Sequence, residues 1–199
     1  MIYKTISEAI IELREADLKL RGMLIQKGML GDGYNREMEQ LHIRNADILD
    51  GLIDEIGYPT IDKVGAEASE AAWLVIQHSI SKPDFMEKCL GLLQEVVKDC
   101  RANPKNLAYL ADRVAVFRGR KQLYGTQFDW DKMGQLSPKP YDNRTKVNQR
   151  RKSIGLNSLE EQTTLLRAQA KNENESPPKD FEKRKLKIDE WRRAVGWIK

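Results

Sequence analysis

The sequence predicts a mainly α protein: a compact helical bundle with an irregular loop or short hairpin near 118–136 and an amphipathic helix at the C-terminus. Three observations carry that prediction. Apolar residues recur at three- and four-residue spacing over most of the chain. Gly and Pro fall between these runs, where helices stop. A chain of 199 residues, 40% hydrophobic with a mean hydropathy of −0.62, has enough apolar side chain for a core and too much for wholesale disorder.

Taken in order, Thr5 followed by Glu8 has the spacing of a capping box. The helix it opens runs to about Lys27, with Ile6, Ile10, Leu13, Leu20 and Leu24 along its stripe, and Gly28, Gly31 and Gly33 break it. A second helix covers about Asn35 to Ile56, with Leu41, Ile48, Leu49, Leu52, Ile53 and Ile56 inward and Gly57 and Pro59 as its stop. Residues 64–80 are the most apolar stretch. Between Ala71 and Ile76 every face is apolar, which fits a helix buried on most sides, and the alanines favour helix over strand.

Pro83 and Asp84 make a good first turn for the next helix. Its inward residues are Phe85, Cys89, Leu92, Leu93, Val96, Val97 and Cys100, so both cysteines read as small hydrophobes. Asn103 and Pro104 open a further helix carrying Leu107, Leu110, Ala111 and Val114, ended by Gly119. Residues 120–136 show no clean period, and 137–148 form a polar connector. Short helices are expected at 146–153 and 158–170, and 171–179 reads as flexible linker. In the last twenty residues Phe181, Ile188, Trp191, Val195 and Ile198 share one face of a basic helix. The expected organisation is a helical domain over 1–161, a linker region over 162–178 and a tail helix over 179–199.

Composition narrows the functional classes. No run of about 18 apolar residues exists, so no transmembrane helix is expected. The charged N-terminus lacks a secretory core, and two cysteines do not make a disulfide framework or a zinc cluster, so a cytoplasmic protein is expected. Residues 137–199 hold 16 basic and 9 acidic residues, against 34 and 30 for the whole chain, which leaves the rest net acidic. A basic tail with Trp191 and Trp197 suits docking onto a protein, whether its own body or a second subunit; one such helix is thin grounds for nucleic acid.

Polar residues on apolar faces are the best chemical clue, because burying one without a partner costs about 1–3 kcal/mol. Asn45 falls between Leu41 and Leu49, His78 ends the buried helix beside Gln77, and Asp112 and Arg113 follow Leu110 and Ala111. Gln122, Tyr124, Thr126 and Gln127 lie in the irregular stretch. Together they outline a pocket in which His78 transfers protons, Asp112 aligns it, and Tyr124 or Thr126 stabilises developing charge. Asn45, Gln77, Arg113, Gln122, Thr126 and Gln127 would hold a polar or anionic substrate. His42 lies toward the edge of its stripe and stays outside this set. No metal-ligand spacing, glycine-rich phosphate loop or nucleophile elbow is present, and no cofactor is expected.

These residues carry a resemblance. Asn45, Gly57-Tyr58-Pro59-Thr60, Val64-Gly65, Ala72-Trp73, Gln77-His78, Ala108-Tyr109-Leu110, Asp112-Arg113 and Gln122-x-Tyr124-Gly125-Thr126-Gln127 resemble the signature of a bacterial family known only as a domain of unknown function. Residues 147–161 are similar to that family's usual C-terminal end, so the resemblance covers about 38–161. Tyr58 stands where the pattern favours Trp. The resemblance implies an ordered domain with His78, Asp112, Arg113 and the Tyr-Gly-Thr-Gln loop among its hallmarks, and it implies no reaction. The sequence therefore supports a small intracellular enzyme with a His-based acid/base site, acting on a small molecule or peptide. The alternative is a non-catalytic adaptor that docks a partner, or self-associates, through its helical body and basic tail.

Overall fold

The computed structural model describes residues 3–30 and 33–199, and the break expected at Gly31 lies outside them. The chain divides into two units, 1–103 and 104–199. The division falls at the Asn103–Pro104 junction, inside the stretch that the sequence presents as one domain.

The first unit is helical throughout. It contains α1 (Lys4–Gln26), α2 (Arg36–Ile56), the single turn α3 (Ile61–Val64), α4 (Ala66–His78) and α5 (Pro83–Lys98). α4 is its axis and packs against α1, α2, α3 and α5. The reason lies in its side chains: Ala68, Ala71, Ala72, Val75 and Ile76 are all buried, and the alanines let neighbouring backbones come close. α1 presents Ile6, Ile10, Leu13, Asp17 and Leu24 as its buried stripe, and α2 presents Met38, Leu41, His42, Asn45, Leu49, Ile53 and Ile56. Asn35 caps α2, its side chain accepting from the N–H groups of Glu37 and Met38. Gly57 ends it at φ +70°, a conformation that L side chains rarely adopt.

Two local expectations need correction, and one element is new. α1 starts at Lys4 with Tyr3 at its N-cap and no side-chain cap, so Thr5 is already inside the helix and forms no capping box with Glu8. The turn α3 is an addition that four residues of sequence could not announce. α5 ends at Lys98, so Cys100 falls beyond the helix, exposed and at φ +57°, whereas Cys89 is buried as expected. Burial pushes the Cys89 thiol up to about 12, which keeps it an inert packing group.

The second unit contains α6 (Pro104–Phe117), β1 (Phe128–Trp130), β2 (Leu136–Pro138), α7 (Arg144–Ser153), α8 (Leu159–Asn172) and α9 (Phe181–Ala194). The irregular stretch holds the short hairpin: β1 and β2 pair antiparallel with Asp129 opposite Ser137. α8 opens with a reciprocal capping box between Ser158 and Glu161 and packs on β2. It runs to Asn172, close to the helix expected at 158–170, and so occupies much of the region 162–178 set apart as linker.

The C-terminal helix is part of this unit's packing. Trp197 is 1% exposed and stacks on Phe117 with ring centroids 5.1 Å apart, and Trp191 meets Phe117 edge-on at 5.6 Å. Arg118 lies over the Trp197 ring and donates to the Gly196 and Trp197 carbonyls, and Arg192 donates to the Phe117 carbonyl. Arg184 pairs with Asp129 of the hairpin at 2.7 Å. Among the described residues, no helix is long and apolar enough to cross a membrane.

Candidate functional site

The densest set of chemically capable side chains sits in the first unit, where α1, α2 and α4 meet. Positions 6, 10, 13, 17 and 24 share one face of α1, so the same periodicity that buries Leu13 buries Asp17. On α2, His42 and Asn45 stand in line with Met38 and Leu49, on the buried face rather than its edge. Asn45 donates from its side-chain amide to the Leu13 carbonyl at 3.0 Å, tying α2 to α1 one turn from Asp17. His78 is the last residue of α4.

Asp17 Oδ2 is the focus. His78 Nδ1 lies 2.8 Å from it and His42 Nε2 lies 2.9 Å from it. Nε2 of His42 is close but not aligned for a hydrogen bond, and among the described residues neither it nor Asp17 Oδ1 has a hydrogen-bond partner. On its other side, His42 Nδ1 meets the Tyr34 hydroxyl at 2.5 Å, and that hydroxyl donates to the His78 carbonyl at 3.4 Å. The two imidazole centroids are 5.1 Å apart. The side chain of Asp17 is 0% exposed, that of His42 8% and that of His78 29%, so His78 is the member of the cluster most open to solvent.

The electrostatics follow from burial. An ionised carboxylate with no access to water needs compensation from its neighbours. Burial pushes the Asp17 carboxyl up, but the two imidazoles outweigh that and hold it well below the usual carboxylate range. Burial also raises the Tyr34 phenol above its ordinary value, with Glu39 and Asp17 adding to the effect, so Tyr34 acts as a neutral hydroxyl.

The remaining residues singled out in the sequence form a second network, in the other unit. Asp112 is fully buried and accepts from the backbone N–H groups of Leu123, Tyr124 and Thr126 and from the Thr126 hydroxyl. Gln122, also fully buried, donates to the Gln127 and Lys139 carbonyls and accepts from the Gln127 N–H. Arg113 donates to the Gln127 side chain, which in turn donates to Thr126 Oγ1. The buried Arg151 donates to the Tyr124 and Asn157 carbonyls. Gly125, at φ +64°, lets the loop turn against Leu159, whose Cδ1 stands only 2.8 Å from where a Cβ would be. Burial raises the Asp112 carboxyl, opposed by its N–H donors from Thr126, Tyr124 and Leu123.

His78 therefore takes its carboxylate from Asp17, and the groups around Asp112 close a loop onto its own helix. Of the residues read as one pocket, Asn45, Gln77 and His78 fall in the first unit and Asp112, Arg113, Gln122, Tyr124, Thr126 and Gln127 in the second. Asp17 and Tyr34 were not singled out at all. Asp17 had a findable signal, a polar residue on the inward stripe of an apolar helix; Tyr34, in a connection between helices, had none. A hollow of about 330 Å³ along α7, lined by Arg144, Thr145, Asn148, Gln149 and Lys152, takes in none of these groups.

Comparison with known proteins places the chain. Residues 5–171 match the model of a family of unknown function, DUF6624. The chain belongs to that family. The match runs from the start of α1 to the end of α8, so Asp17, His42, His78 and Asp112 all fall inside the DUF6624 region. No curated protein and no solved structure matches the chain.

Proposed function

We propose that this DUF6624 protein is a small enzyme whose reaction centre is the Asp17–His42–His78 cluster. One observation supports this above the others: a wholly buried carboxylate sits between two imidazoles, and one of those imidazoles reaches solvent. Fold maintenance alone does not call for such a set, because a buried charge with its partners is often no more stabilising than well-packed apolar residues of the same volume. The chemistry open to it is the activation of a water or hydroxyl group at the solvent edge of His78, on a polar substrate small enough to approach the end of α4.

This keeps the His-based centre expected from the sequence and moves its supporting carboxylate from Asp112 to Asp17. The adaptor alternative draws less support, since Arg118, Arg192 and Trp197 are engaged where α9 packs on α6. The test is a panel of chromogenic carboxylate, phosphate and amide esters. Turnover that is lost in Asp17→Asn and His78→Ala but kept, per folded molecule, in Asp112→Asn supports the proposal. Turnover that survives both first-unit substitutions overturns it.

A further inference from the structure

We infer that Asp17 Oδ2, His42 Nε2 and His78 Nδ1 are the ligands of a divalent transition-metal ion, with Tyr34 positioning His42 behind them. The inference rests on the catalytic proposal only for the location of the centre. The three side chains each offer one ligand atom, and these atoms all lie within 4.8 Å of one another. Two imidazoles and one carboxylate are the donor set that first-row divalent ions such as zinc and iron accept, with positions left over for water or substrate.

Plain hydrogen bonding accounts for only part of the geometry. The Tyr34 hydroxyl meets His42 Nδ1 at 2.5 Å and lies 3.4 Å from the His78 carbonyl, so it holds the far side of the His42 ring. His42 Nε2 stands 2.9 Å from Asp17 Oδ2 without a hydrogen bond aligned to it. A metal ion would give both orphaned buried atoms, His42 Nε2 and Asp17 Oδ1, a charge to face.

The arrangement behind His42 has the logic of an outer shell, in which the non-ligating ring nitrogen is held by a hydrogen bond that fixes tautomer and orientation. Two donors on a tetrahedral zinc at about 2.1 Å each stand roughly 3.4 Å apart. The separations of 2.8 and 2.9 Å need to open by only about half an ångström, a small rotamer adjustment. The solvent edge beside His78, whose side chain is 29% exposed, is where a metal-bound water and a substrate would enter.

The experiment is a competition titration of the chelator-stripped full chain with zinc alone against a chromogenic chelator, folding being checked by circular dichroism. Wild type is expected to bind one equivalent. Asp17→Asn, His42→Gln and His78→Ala should each weaken binding by about 100-fold or more, and Tyr34→Phe by about 10-fold, while Asp112→Asn leaves it unchanged. His78→Ala is the deciding variant should the more buried substitutions unfold, because its side chain is the most exposed of the three. Binding well below one equivalent, or zinc held equally well by His78→Ala, overturns the inference. Zinc binding without ester turnover leaves the metal centre standing and removes the catalytic proposal; turnover by stripped protein that binds no zinc does the reverse.

Discussion

Replacing Asp112 with asparagine changes one atom and separates a structural carboxylate from a catalytic one. Oδ1 accepts from the N–H groups of Leu123 at 2.7 Å and Tyr124 at 3.1 Å; Oδ2 accepts from Thr126 N–H at 2.9 Å and Thr126 Oγ1 at 3.1 Å, and Tyr124 N–H also reaches it at 3.2 Å. Whichever oxygen becomes NH₂, one backbone N–H loses its acceptor and faces a donor instead. Leaving a buried donor unsatisfied costs about 1–3 kcal/mol, so a loss of about 2 kcal/mol is expected. That corresponds to a fall in melting temperature of about 4–8 °C for a chain of this size. Alanine orphans all three N–H groups and should cost at least twice as much. Chemical denaturation followed by circular dichroism measures both. An Asn variant within about 0.5 kcal/mol of wild type, the ordinary range for surface changes, would refute the argument that Asp112 holds the loop together.

Other substitutions test neighbouring parts of the account. Trp197→Ala should destabilise the second unit by about 3–5 kcal/mol, read from its melting transition, because it empties the site beside Phe117; deletion of 172–199 should be worse still. Gly125→Ala should cost about 1–2 kcal/mol in the same assay, from the positive φ, and more if Leu159 cannot withdraw. Asp129 gives a pH dependence. Burial raises its carboxyl, but Lys139 and Arg184 lower it further, so the net shift is downward. A lowered folded-state pKa contributes stability above the unfolded value near 4 and loses it as pH falls from there toward the folded value. Wild type should therefore exceed Asp129→Asn by about 1 kcal/mol at pH 7, and the gap should close on acidification below about pH 4; a constant gap would contradict the assignment.

Most helices were legible because their signals are local. The stripes of α2 and α5, apart from Ile48, which was expected inward and is 51% exposed, together with Asn35 and Gly57 at the ends of α2 and Pro83 in the first turn of α5, all act within a few residues. Thr5 misled because a capping pattern is a preference of the local chain, whereas the bond beside the start of α1, from Tyr3 N–H to the Lys63 carbonyl, is tertiary. Cys100 misled because the stripe continues in sequence after the helix has stopped at Lys98. The importance of Asp112 was visible as a polar residue at the inner end of a helix, but its partners were not, since a carboxylate that accepts backbone N–H groups leaves no side-chain pattern. The pairing of Asp17 with His78 spans 61 positions. It depends on how α1, α2 and α4 pack, which no periodicity specifies. His42 was passed over for a simpler reason: Met38, His42, Asn45 and Leu49 form one line down α2, and weighting only its aliphatic members hid the histidine.

The central claim is that three helices of the first unit converge their ligands on one divalent ion. The most direct measurement is anomalous diffraction at the zinc edge from crystals of the zinc-saturated full chain. The account predicts a single strong peak about 2.0–2.2 Å from each of Asp17 Oδ2, His42 Nε2 and His78 Nδ1, with the Tyr34 oxygen still on His42 Nδ1. A map in which His78 Nδ1 remains hydrogen-bonded to Asp17, and zinc lies only at surface groups such as Cys100, would contradict it.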